Sequence, residues 1–70
     1  MPARYYMGGV CGMGMAPLAA FLADEGNSVE GFDDSPNPWL RERLENLGVR
    51  FRPPSGGYDR VVISTALWRR

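Results

Sequence analysis

Between the apolar run Tyr5-Tyr6-Met7 and the alanine- and leucine-rich run from Ala16 to Ala23, the chain places glycines at positions 8, 9, 12 and 14. Inside a packed element each of these glycines would cost backbone entropy, so the cluster belongs where the chain turns tightly and lets something approach its backbone. The flanks read as a strand before the turn and a helix after it. A helix that opens just beyond such a turn points unpaired N–H groups and the positive end of its dipole at one spot, which suits an anion and above all a phosphate.

The rest of the chain repeats the alternation. Tyr5 to Val10 is predicted as a short strand buried on both faces. The first helix is expected from Met15 to Glu25, with Met15, Leu18, Ala19 and Leu22 on its buried face and Pro17 tolerated in the first turn. Ser28 to Phe32 is the second strand, with Asp33 at its carboxyl end. Asn37 and Pro38 suit a cap and first helical residue, and the second helix runs to Leu47 with Leu40, Leu44 and Leu47 as its apolar stripe. Arg41 and Glu45 pair on its exposed side. Gly26 and Gly48 follow the two helices as stop signals. Val49 to Arg52 and Arg60 to Ser64 complete the strands. Trp39 and Trp68 suit either a core or an interface.

Alternating strands and helices imply a parallel sheet with right-handed crossovers. The fold class is therefore α/β, a Rossmann-like three-layer domain with a short parallel sheet in βαβαββ order. Ligands of such folds bind beyond the carboxyl ends of the strands, where strand order reverses. Three segments should meet there: the turn Gly9-Val10-Cys11-Gly12-Met13-Gly14-Met15, Asp33, and Ser64-Thr65-Ala66.

The turn resembles G-x-G-x-x-G with cysteine at the second glycine, and Gly12 beside it can supply the lost freedom. Asp33 lies 19 positions after Gly14, near the roughly 20-residue offset of a ribose-binding carboxylate; its plainer role is to open a polar loop or cap the next helix. Cys11 reads as a small turn residue, because the chain has no histidine to activate a thiolate. Met13 and Met15 read as packing residues whose backbone amides remain able to bind.

Composition narrows the function. The 70 residues carry a net charge of zero, with no lysine and no histidine, which argues against nucleic acid as a partner. A histidine-dependent triad is excluded, as is the G-x-x-x-x-G-K-[ST] loop. No metal-ligand spacing occurs. No apolar stretch reaches the length of a membrane span, and the start lacks a secretory pattern, so the expected location is the cytoplasm. The segment is expected to bind a ligand rather than transform one. In so small a domain the sheet edges are a liability, and self-association or marginal stability is expected.

Taken with Leu18-Ala19, Gly26, Val29-x-Gly31-x-Asp33, Leu44-x-x-Leu47-Gly48 and Asp59-x-Val61-Val62-Ile63-Ser64-Thr65-Ala66-Leu67, the turn resembles the N-terminal domain of the Mur ligases. The likeness is to the UDP-N-acetylmuramate–L-alanine ligases and the murein-peptide ligases, and it spans nearly the whole chain. It implies that residues 1–70 form the UDP-binding domain, truncated, without the central ATP-binding and C-terminal domains. It implies that Gly9 to Met15 cradle the diphosphate of UDP-N-acetylmuramate, that Asp33 lies at the uridine end, and that Ser64-Thr65-Ala66 line the same crevice. ATP and magnesium would belong to the central domain, so this segment carries no cofactor of its own. Phe32 stands where the family has serine, Pro17 replaces a small residue, and Arg52-Pro53 lie near the place of a Gly-His pair. The alternatives are an NAD(P)- or FAD-binding Rossmann domain of an oxidoreductase, and a self-associating module with a vestigial phosphate site.

Overall fold

The computed structural model describes residues 2–12, 14–33 and 37–64. Its elements are β1 (Arg4–Gly8), α1 (Met15–Asp24), β2 (Ser28–Phe32), α2 (Pro38–Asn46), β3 (Arg50–Phe51) and β4 (Arg60–Ile63). The four strands form one sheet in the order β3-β2-β1-β4, and every pairing is parallel, with Met7 opposite both Gly31 and Val62. This is the predicted α/β, Rossmann-like arrangement, with most elements ending one or two residues inside the predicted bounds.

The chain enters at β1, steps outward to β2 and β3, then returns across β1 to place β4 on its other side. Two right-handed steps in one direction put both crossover helices on the same face of the sheet, and α1 and α2 pack against each other there. Between them and the sheet lies the apolar core: Met7, Val10, Val29 and Val49 meet Ala16, Ala19 and Leu22 of α1 and Leu44 of α2. The buried stripe of α1 thus runs through its alanines. Leu18 is exposed instead, as are Trp39 on α2 and Leu47 just after it. With Ala16, Ala19 and Leu22 against the sheet, Leu18 stands about 100° around the helix from Ala19 and so toward solvent. Trp68 lies outside the described residues.

Helix α2 begins as its sequence dictates, with the Asn37 side chain accepting the N–H groups of Trp39 and Leu40 and Pro38 in the first turn. The Arg41–Glu45 pair forms, with Nε and Oε2 3.7 Å apart. Pro17 falls at the third position of α1, where a missing N–H breaks no helical bond.

The third layer is not helical. Residues 52–59, which return the chain from β3 to β4, cross the other sheet face. Alternation along the strands points Arg4 and Tyr6 of β1 and Glu30 and Phe32 of β2 toward this connection. Tyr6 stacks between two rings, 5.1 Å from Tyr58 and 6.3 Å from Phe32 by centroid. Val61 and Ile63 of β4 stay 60% and 45% exposed on the same face.

Gly31 lies tight against the chain leaving β1. A Cβ there would strike the carbonyl oxygen of Met7 and come within 3.2 Å of the Val10 Cβ, so a side chain would push β2 off the chain leaving β1. Gly31→Ala is expected to cost about 1–3 kcal/mol, a large share of the stability of a domain this small. A urea unfolding curve that overlays the wild type would show that this contact has slack.

Candidate functional site

The strand order reverses at β1, and the glycine turn leaves from its carboxyl end. Gly9 adopts φ +76°, a conformation open to glycine at little cost. The turn is then tied to the end of β2. Gly9 and Val10 both donate their N–H to the carbonyl oxygen of Phe32, at 2.9 and 3.1 Å, and Gly12 donates to Gly9 O at 2.9 Å. Cys11 donates its N–H to Asp33 Oδ2 at 3.0 Å. At the helix entrance Met15 and Ala16 donate to Gly12 O. On the other flank Ser64 donates its N–H to Gly8 O at 3.0 Å.

Asp33 is thus held against the turn, and Ser64 beside the end of β1 from which the turn leaves. Met13, Thr65 and Ala66 lie outside the described residues. The amides at Gly9, Val10, Cys11 and Gly12, grouped in the sequence as a cradle, all spend their hydrogens within the chain. Their work is to shape the turn. Gly14 differs, because its N–H finds no acceptor among the described residues. It is exposed at the mouth of α1, and a Cβ on it would meet nothing within 4 Å. The turn is open at this end.

Beside the turn, beyond the ends of β2 and β3, lies a groove of about 380 Å³ lined by Phe32, Asp33, Arg41, Phe51, Arg52, Pro53 and Pro54. Arg41 reaches across it, its guanidinium carbon 4.8 Å from the Phe51 ring centre. Burial pushes the Cys11 thiol above its ordinary pKa; the Asn37 backbone hydrogen bond and Arg41 pull the other way, while the Asp33 charge adds to the rise. Cys11 thus stays a neutral thiol near neutral pH, in keeping with a turn residue rather than a nucleophile.

Arg41 did not stand out in the sequence as a groove residue, because it satisfied a helix-surface pairing. Arg52 did draw notice, as the arginine near the place of the family's Gly-His pair. Glu30 and Tyr58 gave one usable signal, a lone carboxylate between Val29 and Gly31 in an otherwise apolar strand. Glu30 is 2% exposed. Its Oε1 accepts the Tyr58 hydroxyl at 2.7 Å, and its Oε2 accepts Arg52 Nη2 at 2.7 Å, with Arg4 Nη2 at 3.5 Å. The Tyr58 and Arg52 hydrogen bonds, with the arginine charges, hold its carboxyl below the usual range despite burial; the Arg52 guanidinium is raised in turn.

Comparison with known proteins gives this arrangement a family. Residues 4–70 match the sequence model described as Mur ligase family, catalytic domain. The chain belongs to the Mur ligase family. It is 40% identical to the UDP-N-acetylmuramate–L-alanine ligase of Leuconostoc citreum over 76% of this chain and 12% of that protein. Against the ligase of the same name from Kineococcus radiotolerans it is 36% identical, over 91% of this chain and 15% of the relative. The corresponding Synechococcus ligase is 49% identical over 73% of this chain and 10% of its own length. The chain thus spans about a seventh or less of these Mur ligases. Among the described residues no helix is long and apolar enough to cross a membrane, and no three His, Cys, Asp or Glu side chains could hold a metal ion.

The lowered Glu30 pKa has a measurable consequence in this Mur ligase chain. A carboxyl whose folded pKa lies below its unfolded value stabilises the fold above the unfolded value, and loses that contribution as pH falls through the folded one. Below the ordinary value of 4.5 the chain is therefore expected to lose urea resistance step by step. Glu30→Gln is expected to be less stable at pH 7 and to show a shallower acid slope. Parallel slopes in urea titrations between pH 7 and pH 3 would remove Glu30 from the cause.

Proposed function

We propose that this chain binds the uridine diphosphate end of UDP-N-acetylmuramate, as the substrate-binding N-terminal domain of an ATP-dependent cell-wall peptide ligase working in the cytoplasm. The observation that carries the reading is the meeting of the open Gly14 amide, Asp33 and Ser64 around β1, beside a groove flanked by Arg41 and Arg52. The diphosphate would sit at the mouth of α1, where backbone N–H and helix dipole favour negative charge. Asp33, steadied by the Cys11 amide, would face the nucleoside, and the arginines would balance the ligand's charge. Kinship with ligases named for UDP-N-acetylmuramate supports this choice of nucleotide.

ATP and magnesium do not fit the residues present. The sequence has no lysine for a triphosphate loop and the described residues hold no carboxylate cluster for the metal. Those steps fall to a central domain outside these residues.

A second reading, a self-associating module with a vestigial phosphate site, has one observation in its favour. Val61 and Ile63 stand exposed beside Tyr6, Phe32 and Tyr58 around an apolar hollow of about 380 Å³. Under that reading sedimentation shows an oligomer and no nucleotide binds.

Titration decides between them. UDP at ten times its Kd is expected to raise the melting temperature by roughly 5–10 °C, while NAD and NADP leave it unchanged. A Cβ at Gly14 would meet nothing within 4 Å, so Gly14→Val is expected to fold and, by crowding the amide, to weaken UDP at least about tenfold, the loss of one charge-assisted hydrogen bond. Indifference of the wild type to UDP would end the binding claim; equal affinity in the variant would move the anion elsewhere.

A further inference from the structure

Glu30 is buried too deeply to touch a ligand, yet it governs a wall of the groove. After Arg52 donates its N–H to Gly31 O at 3.0 Å, the chain crosses the sheet face without a regular element until Arg60. Side chains from the sheet hold it there. Glu30 takes Arg52 with one carboxylate oxygen and Tyr58 with the other. The Tyr58 hydroxyl in turn accepts the Ser55 N–H at 2.8 Å. Tyr6 donates its hydroxyl to the Arg52 carbonyl at 2.8 Å, and Arg4 Nη1 donates to the carbonyls of Gly56 and Gly57 at 3.2 Å. The groove wall made by Arg52, Pro53 and Pro54 starts at one of these anchors.

We propose that Glu30 is a positioning residue for the ligand groove: by gripping Arg52 and Tyr58 it fixes the wall at 52–54 and aims the remaining guanidinium donors of Arg52 at an anionic nucleotide. The proposal rests on the reading of this groove as the nucleotide site. Of the five N–H donors of an arginine, Glu30 engages one, and the Arg52 side chain is 45% exposed. Two effects of Glu30 oppose each other. Its negative charge repels an anion nearby, whereas its grip removes the rotamer freedom that Arg52 would otherwise lose on binding. The Arg52 and Arg4 guanidiniums paired with Glu30 offset the first, while immobilising one long side chain is worth about two- to tenfold in affinity. Positioning wins, so removal of Glu30 weakens binding.

The experiment is calorimetric titration of the full chain with UDP, for the wild type, Glu30→Gln, Arg52→Gln, the double variant and Tyr58→Phe. Each is held at a temperature where circular dichroism shows it folded. Glu30→Gln is expected to weaken UDP about two- to tenfold, Tyr58→Phe by less, and the double variant no more than Arg52→Gln alone. That lack of additivity separates positioning from mere support of the fold, which lowers the melting temperature and leaves the Kd of the folded chain unchanged. Wild-type or tighter affinity in Glu30→Gln overturns the proposal, as does a loss that persists in full when Arg52 is already gone. Should Glu30→Gln fail to fold, unchanged affinity in Tyr58→Phe overturns it. No binding by the wild type itself rejects the nucleotide reading, and the proposal with it.

Discussion

The carbonyl oxygen of Phe32 accepts two amides at once, from Gly9 and Val10, and this joint between the end of β2 and the exit of β1 organises the molecule. It bends the chain out of the sheet toward α1, brings Asp33 within reach of Cys11, and sets the mouth of the helix beside the groove. It is possible only because Gly31 lets the departing chain pass where a Cβ would collide. A parallel sheet has no hairpin to fix the relation of neighbouring strands. Here that relation comes from the turn clasping the adjacent strand.

The opposite face solves a different problem. A connection between parallel strands normally carries a helix that satisfies its own backbone, whereas residues 52–59 are too short for one and must find partners elsewhere. Arg4, Tyr6 and Glu30 provide them from the sheet, and Tyr58 closes the circuit. Burying a carboxylate is costly unless it is paired with a cation and hydrogen-bonded. Glu30 meets that condition, and none of the buried side-chain polar atoms described lacks a hydrogen bond. The same polar clamp that replaces a helix as the third layer also walls the groove, so structure and site share one set of residues.

Much of this was legible in the residues. Glycines at 9, 12 and 14 between apolar runs announced strand, turn and helix. The offset of Asp33 placed a carboxylate beside the turn, and Asn37-Pro38 marked the start of α2. These are local signals, carried by backbone propensity and short spacing. Family membership was legible too, because the motifs keep their spacing from Gly9 to Gly48. What misled was the assumption that every amide in a glycine turn faces the ligand. Gly9, Val10, Cys11 and Gly12 bond within the chain, and among the described residues of the turn only Gly14 stands open. Leu18 and Leu47 fit the helical period but not the burial, since the period gives a stripe and not how far around the helix the neighbour reaches.

By itself the sequence determined the α/β alternation, the parallel sheet, the turn and the kinship, because each depends on residues near one another along the chain. Only the tertiary structure decided that both helices share a face, that Glu30 anchors the return of the chain, and that Arg41 and Arg52 flank the groove. The physical reason is distance. Glu30 and Tyr58 lie 28 positions apart, and Arg4 lies 52 and 53 from the carbonyls it holds, so no local pattern records their pairing, and only a folded sheet brings them within reach.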